Sequence, residues 1–185
     1  MKKRNSGFTI AELLVVIAIL AITVSMAVPS FKVLIQDNLL SMQVNNFVNA
    51  LSVARTEAIK RSNRVTVCKS EDLKTCSKTG TWANGWIVFE DLDNDAAVDK
   101  SEEILMVGDQ LKGSVTFVGD QGVANYISFV PRGFTRRTNN VVQFGELVLC
   151  DNRGFGDKAK GVVVSASGRT RAVPAPQLKL TDCKV

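Results

Sequence analysis

Residues 7–20 read GFTIAELLVVIAIL, and they belong to a segment that is almost wholly apolar from Phe8 to Ile35. Glu12, Lys32 and a few hydroxyl groups are its interruptions. A helix needs about 20 apolar residues to cross the hydrocarbon core of a bilayer, and this segment is long enough. The residues before it, MKKRNSG, are basic. The sequence therefore predicts a membrane-spanning helix whose N-terminus lies in the cytoplasm.

An ordinary secretory signal peptide is the alternative for this segment. Ser25-Met26-Ala27 forms a small-x-small cleavage pattern after the apolar stretch. Glu12 argues against this interpretation, because a carboxylate inside an apolar helix costs on the order of 2.5–3.5 kcal/mol near the bilayer centre. Such a residue is retained for a partner or a function, and a cleaved signal would have no use for it.

The residues from Gly7 to Glu12, followed by LLVVIAILAI, closely resemble the class III leader of type IV prepilins and type II secretion pseudopilins. The resemblance implies that residues 1–7 are a leader peptide. Prepilin peptidase would cut between Gly7 and Phe8 and methylate the new amino group. The resemblance also implies that the Glu12 carboxylate pairs with the amino terminus of a neighbouring Phe8 when subunits polymerise.

Residues 36–62 continue the helix with an amphipathic pattern. Apolar side chains such as Val44, Phe47 and Leu51 recur at steps of three and four residues, which is typical of a helix that buries one face. We expect one long helix. Its hydrophobic half, residues 8–35, serves membrane insertion and polymerisation, and its amphipathic half packs on a globular domain.

Residues 63–185 change to period-two alternation, which predicts a β-rich head. Turn signals such as Asn84-Gly85 and Asn152-Arg153-Gly154 separate the apolar runs. The predicted strands are Val65–Cys68, Trp86–Phe89, Ile104–Val107, Ser114–Val118, Tyr126–Val130, Val141–Leu149 and Gly161–Ala166. The expected fold class is α+β, with a long N-terminal helix whose hydrophobic half protrudes and whose other half packs on an antiparallel β-rich domain.

Three further stretches carry a resemblance that spans nearly the whole chain. GWIVFEDLDND at 85–95, LCDNRGFG at 149–156 and SASGRTRAV at 165–173 are similar to segments of the type IV pilin-like minor pilins and pseudopilins of the GspH/FimT family, the FimT/FimU-like members above all. The resemblance implies the type IV pilin-like fold and other major and minor pilins as partners. It also implies a single-pass protein of the bacterial inner membrane with a periplasmic head, found in the extracellular pilus after assembly.

Two features of the composition bear on chemistry and compartment. The chain has no histidine, the side chain most used for acid–base catalysis near neutral pH, so we predict no enzyme, no catalytic residue and no cofactor. Its four cysteines lack C-x-x-C spacing and predict disulfides in an oxidising compartment. Three pairings are possible, and proximity in sequence favours Cys68 with Cys76 and Cys150 with Cys183.

An acidic stretch has the spacing of a calcium-binding loop. Five carboxylates occupy positions 1, 3, 5, 9 and 12 of an EF-hand-like loop, namely Asp91, Asp93, Asp95, Asp99 and Glu102. The sixth position is Ala96, where that loop needs glycine, and the flanks read as strands. A solvated acidic hairpin loop is therefore the alternative, and calcium is a weak candidate.

The last third of the chain is basic, with ten basic and four acidic residues from position 131 onward. Arginines cluster in the loop of Arg132, Arg136 and Arg137, and Arg153 and Lys158 lie in another loop. The guanidinium fork donates two hydrogen bonds to phosphate at once.

The segment Gly168-Arg169-Thr170-Arg171 resembles the G-R-x-R motif of FimT-type pilins, which implies DNA capture during natural transformation. Arg169 and Arg171 are the principal candidates for DNA contact. Because few aromatic residues interleave with these arginines, we expect contact with duplex phosphates more than base stacking on single strands.

Three functions are compatible with these observations. The first is a minor pilin that contributes to assembly or initiation of a type IV pilus and binds extracellular DNA. The second is a purely structural minor pilin that supports twitching motility without binding DNA. The third is a type II secretion pseudopilin, which shares the leader and the fold.

Overall fold

The computed structural model of the protein describes residues 9–184, so the predicted processing site at Gly7 and Phe8 lies outside the described residues. The chain divides into two compact units, Met1–Asn38 and Leu39–Val185. Helix α1, Ile10–Arg61, contributes to both. We call the second unit the head.

The first unit consists of the N-terminal part of α1. Its apolar side chains are exposed, and Leu20 and Phe31, for example, are 59% and 64% accessible. Within the described residues α1 is the one helix that is long and apolar enough to cross a membrane. Exposed apolar surface along a whole helix is costly in water, so this segment needs lipid or protein around it.

In the head, α1 buries the face that the sequence pattern predicted. The buried residues Leu40, Val44, Phe47 and Leu51 follow one another at steps of three and four. The helix ends at Arg61, and Ser62 adopts a left-handed backbone with φ of 56°. A left-handed residue cannot continue an α-helix, so the chain turns there into the first strand.

Eight strands follow the helix. They are β1 (Val65–Lys69), β2 (Trp86–Glu90), β3 (Ile104–Gly108), β4 (Thr116–Gly119), β5 (Tyr126–Phe129), β6 (Gly145–Cys150), β7 (Lys160–Val164) and β8 (Thr170–Pro174). They form two four-stranded antiparallel sheets, with the orders β3-β2-β1-β5 and β4-β6-β7-β8. Short 3-10 helices occupy Trp82–Asn84 and Ala175–Gln177.

The core of the head lies where α1 meets both sheets. Phe47 is fully buried and packs edge-to-face against three rings. Its centroid lies 5.1 Å from that of Trp82, 5.1 Å from that of Trp86 and 4.9 Å from that of Phe117. Trp86 belongs to the first sheet and Phe117 to the second, so one side chain of the helix joins both sheets.

The structure contains two disulfides, which are the pairings that sequence proximity favoured. Cys68, in β1, is bonded to Cys76, and Cys150, at the end of β6, is bonded to Cys183. The second bond fastens the C-terminal tail beside a buried cluster to which Leu178 contributes. Closing a longer loop removes more entropy from the unfolded chain, so this bond is the more stabilising of the two in the chain-entropy model.

One strand prediction was wrong and one strand was missed. The predicted strand Val141–Leu149 begins only at Gly145, as β6, and residues 141–143 pair instead with residues 135–137. Strand β8 was not predicted, although it pairs with β7 along its whole length. Both differences fall in the basic part of the chain.

Candidate functional site

Two basic loops, residues 131–137 and 165–169, meet where Gly168 packs on Gly133. Both glycines have a left-handed backbone with φ of 75°, a conformation that costs other residues free energy. A Cβ on Gly168 would overlap the carbonyl oxygen of Gly133. The glycine of the predicted motif is therefore required by packing as well as by conformation.

Hydrogen bonds reinforce this contact between the two loops. The backbone N–H of Thr135 donates to the carbonyl oxygen of Ala166 at 3.3 Å. The hydroxyl of Thr135 donates to the carbonyl oxygen of Ser165 at 2.8 Å. Thr135 is fully buried, so these bonds are shielded from water and fix the relative position of the loops.

The five arginines predicted from the sequence lie on these loops and on β8. Arg132, Arg169 and Arg171 are exposed, and Arg136 and Arg137 are half-buried. Among the described residues none of the five forms a salt bridge. The loops therefore present several cations without intramolecular counter-ions, an arrangement that attracts a polyanion.

Arg55 of α1 is a further cation at this surface, and the sequence analysis missed it. Its Nε lies 3.2 Å from the position that a Cβ on Gly133 would take and 3.4 Å from that on Gly168. The helical pattern gave no signal for this role, because the contact depends on which loops pack on the helix. Arg153, in contrast, is paired with Asp151 at 2.7 Å.

Arg64 supports the loop of Arg136 and Arg137 through hydrogen bonds to its backbone. Its side chain is only 7% exposed, and its guanidinium donates to the carbonyl oxygens of Arg136 at 2.9 Å and Arg137 at 3.2 Å. The other nitrogens donate to the side-chain oxygens of Asn140 at 3.0 Å and Asn94 at 2.6 Å. Burial lowers the pKa of Arg64, but the side chain has bonded donors throughout and positions the basic loop.

Asn94, one of those partners, belongs to the acidic loop after β2. Three carboxylates there place one oxygen each within 4.8 Å of one another, those of Asp91, Asp93 and Asp95. Glu102 accepts hydrogen bonds from the backbone N–H groups of Leu92 at 2.7 Å and Asp99 at 3.0 Å. The cluster thus gathers three of the five predicted calcium ligands, and backbone contacts tie the other two together.

The most buried of these carboxylates already has protein partners. Asp91 accepts hydrogen bonds from the hydroxyl of Thr66 at 2.6 Å and the N–H of Asp95 at 3.1 Å. Burial raises the pKa of Asp91, and the Thr66 hydroxyl and the charge of Arg64 oppose that rise. Ala96 takes the left-handed conformation, with φ of 60°, that a calcium loop gives to glycine. Calcium binding stays a prediction.

Glu12, the predicted polymerisation residue, caps the start of α1. Its carboxylate accepts hydrogen bonds from the N–H of Thr9 at 2.9 Å and the hydroxyl of Thr9 at 3.0 Å. The N–H of Glu12 donates in return to that hydroxyl at 3.2 Å. This reciprocal pair is a capping box, and it gives the carboxylate local partners within a single chain.

Comparison with known families identifies both parts of the chain. Residues 43–168 match the family described as type II transport protein GspH. Residues 2–28 match the prokaryotic N-terminal methylation motif. These matches confirm the resemblance to the GspH/FimT family that the sequence motifs indicated.

The solved structures of one minor pilin confirm the fold class. The Pseudomonas aeruginosa type IV minor pilin FimU, in one crystal form, is 17% identical with a TM-score of 0.58, covering 80% of this chain and 96% of that chain. In a second crystal form of FimU the identity is 17% and the TM-score is 0.55, and the match covers 78% of this chain and 100% of that chain. The minor pseudopilin EpsH of the Vibrio cholerae type 2 secretion system is 12% identical with a TM-score of 0.49, covering 75% and 98%. No curated protein sequence matches the chain.

Proposed function

The chain belongs to the GspH family, and from that premise we propose that it is a minor pilin of a type IV pilus that captures extracellular DNA for natural transformation. The observation that carries the DNA part is the packing of Gly168 on Gly133, because it places two arginine loops side by side. DNA carries one negative charge per about 1.7 Å of duplex, so an adjacent pair of arginine loops can contact successive phosphates.

Assembly would proceed through α1. Prepilin peptidase would remove residues 1–7 and methylate Phe8, and the exposed apolar helix would hold the protein in the inner membrane until it enters a filament with other pilins. Glu12 would then exchange its hydrogen bonds with Thr9 for an ion pair with the amino group of a neighbouring subunit. The Coulomb attraction between the two charges is stronger in an apolar surrounding than in water, so each charge that is already there needs its partner.

Glu12→Gln tests whether the charge is needed. Glutamine can still accept the hydrogen bonds of the capping box, so we expect normal insertion of the protein into the membrane. The neutral amide cannot neutralise a neighbouring amino terminus. We therefore expect the amount of the variant in sheared filaments to fall at least roughly tenfold below that of the wild type. Quantitative immunoblotting of membrane and filament fractions measures both. Equal recovery of wild type and variant would show that the charge has no role in assembly.

Arg169→Ala/Arg171→Ala tests DNA capture. We expect the purified full chain in detergent to bind duplex DNA with log affinity falling linearly in log salt. Loss of two phosphate contacts should weaken binding roughly 10- to 100-fold and reduce the salt slope by about 1.8. Fluorescence anisotropy across a salt series provides both numbers.

Lys74→Ala/Lys78→Ala is the control for this experiment. It removes the same charge from two exposed residues on either side of Cys76 and should leave affinity nearly unchanged. If both double variants bind alike, only net charge matters and the loops are not a site. If the wild type binds no DNA at low salt, the chain is a structural minor pilin or a pseudopilin. A deletion strain that loses exoprotein secretion would favour the pseudopilin.

A further inference from the structure

A short hairpin lies at the edge of the basic surface. Residues 135–137 run antiparallel to residues 141–143, with Arg136 opposite Val142 and the N–H of Gln143 donating to the carbonyl oxygen of Thr135 at 3.1 Å. Thr135 and Gln143 are 0% and 1% exposed, so they face the protein. Side chains alternate along paired strands. The outward side chains of this hairpin are Phe134, Arg136, Val142 and Phe144.

The two aromatic rings of this hairpin are open to solvent. Phe134 is 44% exposed and Phe144 is 64% exposed. Phe134 lies two residues before Arg136 and Phe144 two residues after Val142, so side-chain alternation turns both rings toward the face of that bridged pair. The two exposed phenylalanines and the exposed Val142 give this hairpin an apolar outward surface, which is the kind of surface that binding sites use.

The patch is continuous with the arginines of β8. Val163 of β7 pairs with Glu146 on one side and with Arg171 on the other, so the three share one face of the second sheet. Phe144 precedes Glu146 by two residues and lines a cavity together with Val163. Phe144 and Arg171 therefore flank Val163 on the same face.

The acidic groups near the patch are occupied by backbone donors. The Glu146 carboxylate accepts hydrogen bonds from the N–H groups of Lys179 at 2.6 Å and Leu180 at 3.4 Å. Asp120 accepts from the N–H groups of Gly122 and Glu146, both at 2.8 Å. These bonds hold both carboxylates against the backbone, and Lys179 lines the same cavity as a further cation.

We propose that this hairpin stacks nucleobases of single-stranded DNA on Phe134 and Phe144 while Arg136, Arg169 and Arg171 bind its phosphates. The inference rests on the proposed DNA binding and specifies the form of DNA. In a duplex the base faces are stacked on one another, so an exposed phenyl ring meets only sugar and phosphate. In a single strand every base offers a face to an aromatic ring, whatever its sequence. Apolar rings together with cations fit such a polymer on both counts.

The test compares two probes on the full chain in detergent micelles. One is an oligothymidylate of about 16 nucleotides and the other a duplex of the same length. We expect Phe134→Leu/Phe144→Leu to weaken binding of the oligothymidylate roughly 10- to 100-fold and to leave duplex binding within about twofold. Leucine keeps the patch apolar and removes only the rings, and both positions are exposed, so folding should be unaffected.

Phe144→Trp supplies a direct optical readout. Both native tryptophans are buried, Trp82 at 0% and Trp86 at 3% exposure, so the indole introduced by this substitution would provide the solvent-exposed component of the fluorescence. We expect the oligothymidylate to quench that component and the duplex to leave it unchanged.

Each remaining outcome overturns a distinct statement. If the leucine variant binds both probes like the wild type, or if Phe144→Trp is quenched equally by the duplex, base stacking is wrong while DNA binding stands. If the wild type binds neither probe, the proposed function itself fails and the hairpin with it. If the leucine variant binds the oligothymidylate normally but is absent from filaments, the patch docks another pilin.

Discussion

Phe47→Ala is expected to destabilise the head by about 3–5 kcal/mol, the range found for loss of a buried phenylalanine. The ring contacts Trp82, Trp86 and Phe117 at once, so its removal leaves a cavity lined by all three rings. Domains of this size are stable by about 5–15 kcal/mol. The substitution therefore removes a large share of the free energy of unfolding of the head.

Thermal unfolding followed by near-ultraviolet circular dichroism measures this effect, because the tryptophans that Phe47 contacts produce the signal. We expect the Tm to fall by roughly 10 °C. Met42→Ala, on the same helix but 53% exposed, should change stability by less than about 0.5 kcal/mol. Similar melting of both variants would mean that the two sheets do not depend on this ring.

Gly168→Ala is expected to separate the two basic loops. The new methyl group would overlap the carbonyl oxygen of Gly133, and the left-handed backbone adds its own cost. Together these amount to about 2–5 kcal/mol unless the loops move apart. If the loops move apart, their arginines no longer form one surface. We therefore expect DNA affinity to fall at least tenfold although Arg169 and Arg171 are still present.

Gly154→Ala is the matched control, since Gly154 has a similar φ of 80° and nothing within 4 Å of its would-be Cβ. It carries the conformational cost alone, about 1–2 kcal/mol, and should leave DNA affinity unchanged. Melting temperatures and anisotropy on both variants separate conformation from contact. Equal effects of the two substitutions on DNA binding would contradict the assignment of Gly168 as the residue that holds the loops together.

Local patterns were sufficient to predict most of the architecture. The apolar face of α1 follows from helical spacing, and β1, β2 and β3 lie within a residue of the predicted runs because a short run of β-branched and apolar residues between turn signals is a local signal. The end of the helix at Arg61 was also predictable. These elements are determined mainly by neighbours in sequence.

The hairpin and β8 were not predictable in the same way. Phe144 and Val142 have the spacing of a buried strand, and only the pairing of the segment shows that they face solvent. Strand β8 ends in Pro174 and carries Arg171, which argues against a strand unless it lies at a sheet edge, where it is found.

The sequence predicted which arginines form the basic surface but not how they are brought together. The motif at Gly168 identified the arginines, but its contact with Gly133 joins a turn after β5 of the first sheet to the turn between β7 and β8 of the second. Arg55 and Arg64 could not be assigned for the same reason. Sequence reasoning identified the chemical groups, and long-range packing decided which of them share a surface.

The disulfide between Cys150 and Cys183 encloses β7, β8 and the arginine segment in one covalent loop. DNA bound at Arg169 or Arg171 would apply tension inside that loop whenever the filament that carries the protein retracts. Its strands could yield, but the bond limits the released length to the chain between the two cysteines. Mechanical load would then pass through Cys150 into the core strand β6. The bound DNA would therefore stay connected to the head even when β7 and β8 unfold.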